Sequence, residues 1–301
     1  MSNVNIRNLK GSIPALVTPF YEDGSINFDK YGELLEWHIA SKSDAVLVIG
    51  TTGETSCMTH GEDDSIVEYA LKKVAGRIPI IAGSGSNCTD TQIQTSVRYG
   101  NMGVDAVLCI SPYYVKANNE GMYRHFADTA DATKCPIILY NVPGRTGCAI
   151  PVDVVERLSK HPNVMGIKEA SGDIGYVMKI ARYLSDDFVM YSGNDDITVP
   201  LMAMGGSGVI SVWANIMPET VHNMVMDYME GRRAEAVATQ LRYLDLIDAL
   251  FMEVNPIPIK TAMDLMGMDI KYYRLPLCSM APANKARLAN AMRNAGLAIT
   301  E

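Results

Sequence analysis

Val164-Met165-Gly166-Ile167-Lys168-Glu169-Ala170-Ser171-Gly172 opens as an apolar run too short for a helix and closes as a polar loop ending in glycine. A strand buried on both faces reads this way where it runs out into a loop. Seven more runs of the same kind recur along the chain, bounded by Gly, Pro or Asp. They are Ile13 to Val17, Ala45 to Ile49, Ile78 to Ala82, Ala106 to Ile110, Ile137 to Tyr140, Phe188 to Tyr191 and Gly208 to Val212. A spacing of roughly 20 to 35 residues leaves room for one helix in each gap. Tyr31, Leu34, Leu35 and His38 repeat at helical intervals in one gap, as do Ile66, Tyr69, Ala70 and Val74 in another. Eight such units predict an α/β fold, a closed (β/α)8 TIM barrel. The rival is an open nucleotide-binding sheet, but no G-x-G-x-x-G follows the first strand.

After Gly231 the pattern changes. Arg232 to Phe251 reads as helix, Asn255-Pro256-Ile257-Pro258 breaks it, and two further helical segments reach the end. The expected division is a barrel over residues 1–231 and a C-terminal helical appendix over 232–301. The 19 methionines, several of them in this part, suit gap-filling in a core or subunit interface better than a ligand role.

Composition removes several function classes. Lys plus Arg total 26 against 34 Asp plus Glu, a net charge of −8, with no basic cluster for a nucleic-acid backbone or an anionic membrane. The N-terminal stretch Met1 to Leu9 lacks the apolar centre of a signal peptide, and no apolar run approaches the length of a spanning helix. The six cysteines are dispersed without a C-x-x-C pair, as expected of free thiols in the cytoplasm. The five histidines form no H-x-x-x-H or H-E-x-x-H, so no metal-ligand set is visible, and a G-x-S-x-G elbow is also missing.

In a barrel of this kind the chemistry sits where strands end and their loops begin. Lys168 stands at such a point, ending an apolar run. Burial disfavours the ammonium, and a neutral amine attacks a keto group to give a Schiff base. The alternative is a lysine that snorkels to solvent or pairs with Glu169. Tyr140 ends the neighbouring strand and is placed to move protons, with Thr51 and Tyr114 as hydroxyl relays; each alone also reads as an ordinary rim residue. Arg145, in Tyr140-Asn141-Val142-Pro143-Gly144-Arg145-Thr146-Gly147, offers a bidentate cation for a carboxylate or else a structural ion pair. The turn Gly50-Thr51-Thr52-Gly53 presents consecutive N–H groups to an anion, or is simply a turn. Gly205-Gly206-Ser207-Gly208 precedes the eighth strand, at the wrong end of the barrel for a phosphate site.

Taken together, G-T-T-G-E, S-P-Y-Y, Y-N-V-P-x-R-T-G, G-I-K-E-A and N-P-I-P-I-K occur in order over nearly the whole chain. In this it resembles the dihydrodipicolinate synthase/N-acetylneuraminate lyase family. The resemblance implies a lyase that forms a pyruvate imine on Lys168 without metal or other cofactor, with Tyr140, Thr51 and Tyr114 as proton relay. It implies that Thr51 and Thr52 hold the pyruvate carboxylate and that Arg145 receives the carboxylate of L-aspartate 4-semialdehyde. Gly193 and Ile210 would line the site through backbone groups. The implied reaction condenses the two substrates to a cyclic dipicolinate precursor in lysine and diaminopimelate biosynthesis. Arg145 and Thr51 select this branch, since the sialic acid lyases lack the arginine and carry serine for the threonine. Gly144, where serine is frequent, is a departure on the loop.

The resemblance also implies a homotetramer of tight dimers, with Tyr114 reaching into the neighbour's site. It implies an L-lysine inhibitor site at His60, Asn87 and Tyr113. Thr91 stands there for a glutamate, and Asp63 for a second histidine. The rival functions are another pyruvate aldolase, acting on sialic acid or a 2-keto-3-deoxy sugar acid, and a non-catalytic ligand-sensing barrel.

Overall fold

The computed structural model describes residues 6–300; the first residues of the polar N-terminal stretch, 1–5, lie outside the described residues. Eight parallel strands form the sheet. They are β1 (Gly11–Pro14), β2 (Val46–Val48), β3 (Ile80–Gly83) and β4 (Ala106–Ile110), followed by β5 (Ile137–Asn141), β6 (Val164–Glu169), β7 (Val189–Ser192) and β8 (Gly208–Ser211). From β2 to β8 each strand pairs with its neighbour in sequence, and β8 pairs with β1. A parallel bridge between Ala15 and Leu47 joins β1 to β2 and closes the barrel. The first expected strand, Ile13 to Val17, is therefore two pieces: a ladder to β8 that ends at Pro14, then the bridge at Ala15.

Two apolar layers explain why the strands read as unbroken hydrophobic runs. Side chains such as Ile13, Leu47, Ile81, Leu108, Ile138 and Tyr191 fill the barrel interior. Their alternates, among them Val46, Val48, Ala82, Val107 and Leu139, pack outward against the helices. Period-two alternation thus buries both faces. The helix Phe28–Ala40 turns Tyr31, Leu34, Leu35 and His38 inward, the spacing seen in the sequence. The helix His60–Val74 is started by a capping box in which Thr59 and Glu62 satisfy each other's backbone N–H groups.

Beyond the barrel lie the helices Arg233–Arg242, Leu244–Ala249, Ile257–Leu265 and Pro282–Asn294. Asn255-Pro256-Ile257-Pro258 separates two of these, yet it also starts a helix. Pro258 occupies the first turn, where the missing N–H has no helical partner to lose. Trp213 of the barrel and Tyr243, Leu246, Ile259 and Met263 of the appendix belong to one continuous apolar core. No helix among the described residues is long and apolar enough to cross a membrane. All six cysteines are free.

Candidate active site

Lys168 owes its direction to an irregularity in β6. Ile137 pairs with Val164, but Ile138 pairs with Gly166, so one residue of β6 has no counterpart on β5. Unbroken register from Val164 would set Ile167 opposite Tyr140 and turn Lys168 outward. The extra residue instead pairs Lys168 with Tyr140, and both point into the barrel. A β-bulge re-aims the side chains that follow it in this way.

Lys168 is 6% exposed, and its Nζ lies 4.5 Å from the centroid of the Tyr140 ring. Burial, helped by the Arg145 charge, lowers its pKa to about 8, while the Asp195 carboxylate acts in the opposite direction. A substantial neutral fraction therefore exists near neutrality. The alternative reading, a pair with Glu169, is excluded by what Glu169 does. Its oxygens accept from Asn141 Nδ2 at 2.7 Å and from the Ser171 backbone at 2.6 Å.

Gly193 makes room for the lysine. A Cβ there would sit 3.0 Å from Lys168 Cε and 2.6 Å from Ala170 Cβ. Asp195 follows in the same loop and is fully buried. Its Oδ2 accepts from the Val212 and Trp213 N–H groups, each at 2.9 Å, and its Oδ1 has no hydrogen-bond partner. Reading the sequence assigns no role to Asp195.

Tyr140 is 8% exposed and its hydroxyl is hydrogen-bonded by the Thr51 side chain. Burial raises its pKa, opposed by the Arg145 charge and the Thr51 bond. Thr51 opens a 3-10 turn, Thr51–Gly53, closed by Gly53 N–H to Gly50 O at 3.0 Å. The turn lies between two residues with left-handed backbone, Ile49 (φ 47) and Glu54 (φ 59). For a β-branched residue such as Ile49 this is strained, and the bare Gly83 accommodates it: a Cβ there would meet Ile49 O at 2.4 Å.

Two adjoining cavities share Thr51, Leu108, Tyr140 and Arg145. The inner, about 180 Å³, also has Lys168, Thr52, Gly193 and Asn255 in its wall. The outer, about 280 Å³, includes Tyr113, Thr55, Ser56 and Thr146. Arg145 lies in the short helix Pro143–Thr146 at the junction, its Nη2 donating to Asn255 O at 3.1 Å. The arrangement sets a buried amine on the inner wall, a tyrosine–threonine hydroxyl pair beside it, and a guanidinium at the rim. Such a set can form an imine, shuttle its protons and hold an anionic partner.

Four expected residues are not among those in the walls of the two cavities. Tyr114 is 89% exposed with left-handed backbone (φ 73), outside the walls of both cavities. Ile210 fills the interior layer, and Val212, the next inward residue of that segment, takes the place in the cavity wall. Of the inhibitor-site residues, Tyr113 borders the outer cavity, whereas His60 begins its helix at the surface and Asn87 lies in the loop before the helix Thr89–Met102. Asp63, beside them, is buried, and both oxygens accept from Thr55 Oγ1 at 3.0 Å. Among the described residues no group of three or more His, Cys, Asp or Glu is placed to hold a metal ion.

The model of the dihydrodipicolinate synthetase family matches residues 8–295. The 4-hydroxy-tetrahydrodipicolinate synthase 1 of Clostridium acetobutylicum is 48% identical over 288 residues, 96% of this chain and 98% of that one. The crystal structure of dihydrodipicolinate synthase from Aquifex aeolicus superposes with a TM-score of 0.94 at 38% identity, covering 97% of this chain and all of that one. A crystal structure of the Cyanidioschyzon merolae enzyme with lysine bound gives 0.93 at 36% identity, over 96% of this chain and 99% of that one.

Proposed function

The chain belongs to the dihydrodipicolinate synthetase family, and from that membership we propose that it condenses pyruvate with L-aspartate 4-semialdehyde to 4-hydroxy-tetrahydrodipicolinate, the product for which its relatives are named. The observation that carries this reading is the buried Lys168 amine beside the Tyr140 ring.

The neutral amine adds to the pyruvate ketone, and loss of water leaves an imine. Loss of a methyl proton gives the enamine, whose carbon attacks the aldehyde and forms the new C–C bond. The amino group of the semialdehyde then attacks the imine carbon, closes the ring and releases Lys168 as free amine. Tyr140, hydrogen-bonded by Thr51, carries the protons that these steps exchange. Thr51 and Thr52 hold the pyruvate carboxylate, Gly193 leaves space for the adduct, and Arg145 grips the carboxylate of the second substrate.

The assembly belongs to the same proposal: a homotetramer of dimers in the cytosol, in which Tyr114 of one copy completes the relay in the next. Its exposure and forced backbone conformation support that role. The division of the chain is part of the proposal too, with residues 1–231 as catalytic barrel and 232–301 as a helical domain against its mouth.

Borohydride reduction in the presence of pyruvate, followed by peptide mass mapping, is the test. One pyruvate-derived adduct on Lys168, absent from Lys168→Arg, is expected. Labelling at another lysine, or activity lost on chelation, refutes the reading. Faster turnover with a sugar aldehyde than with aspartate semialdehyde would instead move the enzyme to another branch.

A further inference from the structure

The segment Asn255-Pro256-Ile257-Pro258-Ile259-Lys260 takes no part in the steps above, yet it grips the substrate loop at both ends. Asn255, 7% exposed, donates from Nδ2 to Thr52 Oγ1 at 2.9 Å, while its carbonyl accepts from Arg145. Five residues on, Lys260 is fully buried. Its Nζ donates to Glu54 Oε1 at 2.5 Å, Thr18 O at 3.0 Å and Tyr272 O at 2.6 Å. All three ammonium protons are used. The Phe20 and Tyr273 rings lie 4.6 and 5.0 Å from the same nitrogen. The other Glu54 oxygen accepts the Arg274 N–H at 3.2 Å.

A buried ion pair is a poor way to gain stability, because desolvation consumes most of the attraction and apolar side chains of equal volume do as well. What this pair supplies is position. It fixes the residue directly after Thr51-Thr52-Gly53, one already held in a left-handed conformation. Asn255 acts on the loop by hydrogen-bond direction. A hydroxyl has one proton and two lone pairs. With a lone pair of Thr52 Oγ1 taken by the amide, its proton is left to donate elsewhere. A carboxylate accepts only, so a threonine obliged to donate is the form that binds it.

We propose that Asn255 and Lys260 are positioning residues of a brace that presets the Thr51–Glu54 loop for the carboxylate of the keto acid, Asn255 by directing the Thr52 hydroxyl and Lys260 by holding Glu54. The inference rests on the assignment of that loop to pyruvate.

The test is imine capture by borohydride across a range of pyruvate concentrations, without aldehyde, on the full-length enzyme, together with KM and kcat and the thermal midpoint. The half-saturating pyruvate concentration rises about 10-fold in Asn255→Ala, equivalent to about 1.4 kcal/mol, with kcat little changed. Asn255→Asp raises it further, because a carboxylate draws the Thr52 proton away from the ligand. Lys260→Met combined with Glu54→Gln, neutral and similar in volume, raises it while the protein stays folded. On a Thr52→Val background Asn255→Ala has little further effect, since the hydroxyl it directs is gone. Unchanged half-saturation in folded Asn255 variants, or losses from Thr52→Val and Asn255→Ala that simply add, overturns the brace and leaves the function standing. Failure of the wild-type enzyme to capture pyruvate overturns the functional reading, and the brace with it.

Discussion

The rate of pyruvate capture by Lys168 should titrate with the lysine itself. Moving its midpoint from 10.5 to about 8 raises the neutral fraction at pH 7 by about 300-fold, to roughly one molecule in eleven. Capture at fixed, subsaturating pyruvate should therefore climb about tenfold per pH unit at low pH and level off above about pH 8. Two charges set that midpoint beyond burial, and each can be removed. Asp195→Asn keeps an oxygen for the Val212 and Trp213 N–H groups but withdraws the charge that favours the ammonium, so the plateau should begin at lower pH. Arg145→Gln withdraws a repelling charge and should move it to higher pH. Because no aldehyde is present, loss of the Arg145 grip on the second substrate does not enter. Initial rates of borohydride-trapped adduct from pH 5.5 to 10, followed by intact mass, measure all three proteins. A wild-type midpoint near the ordinary lysine value refutes the reasoning, as does an upward shift in Asp195→Asn.

Mixing inactive Tyr114→Phe and Lys168→Ala chains should restore activity, because one site of each hybrid dimer then holds both groups; demonstrated subunit exchange without recovery would refute a shared site. Inhibition by L-lysine should be weak or absent, with no half-inhibition well below a millimolar. At the inhibitor site that the resemblance implies, Thr91 would leave the ligand's ammonium without a carboxylate partner, a loss of about 2–5 kcal/mol or roughly 30-fold and more, and Asp63 is occupied by Thr55; initial rates against rising lysine decide it. Burial raises the Asp63 pKa to about 7, above its unfolded value, so the native state binds the extra proton and stability falls as pH rises from about 4 to about 7. Asp63→Asn should remove that slope, with a higher thermal midpoint than wild type at pH 8 and a smaller difference at pH 4.

The barrel was legible because burial of both strand faces leaves unbroken apolar runs, and helix spacing such as Tyr31, Leu34, Leu35, His38 survives in the sequence. Lys168 was legible as a strand-end lysine at the barrel mouth, but the device that turns it inward was not. Direction depends on a one-residue register shift between β5 and β6, and counting from Val164 gives the wrong face. Asp195 escaped because a carboxylate in a loop reads as solvated until the fold buries it. The contact of Asn255 with Thr52 escaped because nothing local in either segment signals the other. Tyr114 is the reverse case: its motif marked it, and a single chain leaves it outside the cavity.

The contacts that finish the substrate loop span 203 residues from Asn255 to Thr52 and 206 from Lys260 to Glu54. During synthesis the loop leaves the ribosome early and its support emerges near the end, so translation is almost complete before the site has its working shape. At about 5–20 residues per second that delay is on the order of 10 to 40 seconds. Only over its last part, the 255 − 168 = 87 residues from Lys168 to Asn255, does the nascent chain carry the reactive lysine without the finished grip on a keto acid. On this reading a chain that still lacks residues 255–260 captures keto acids at Lys168 more weakly than the whole polypeptide does.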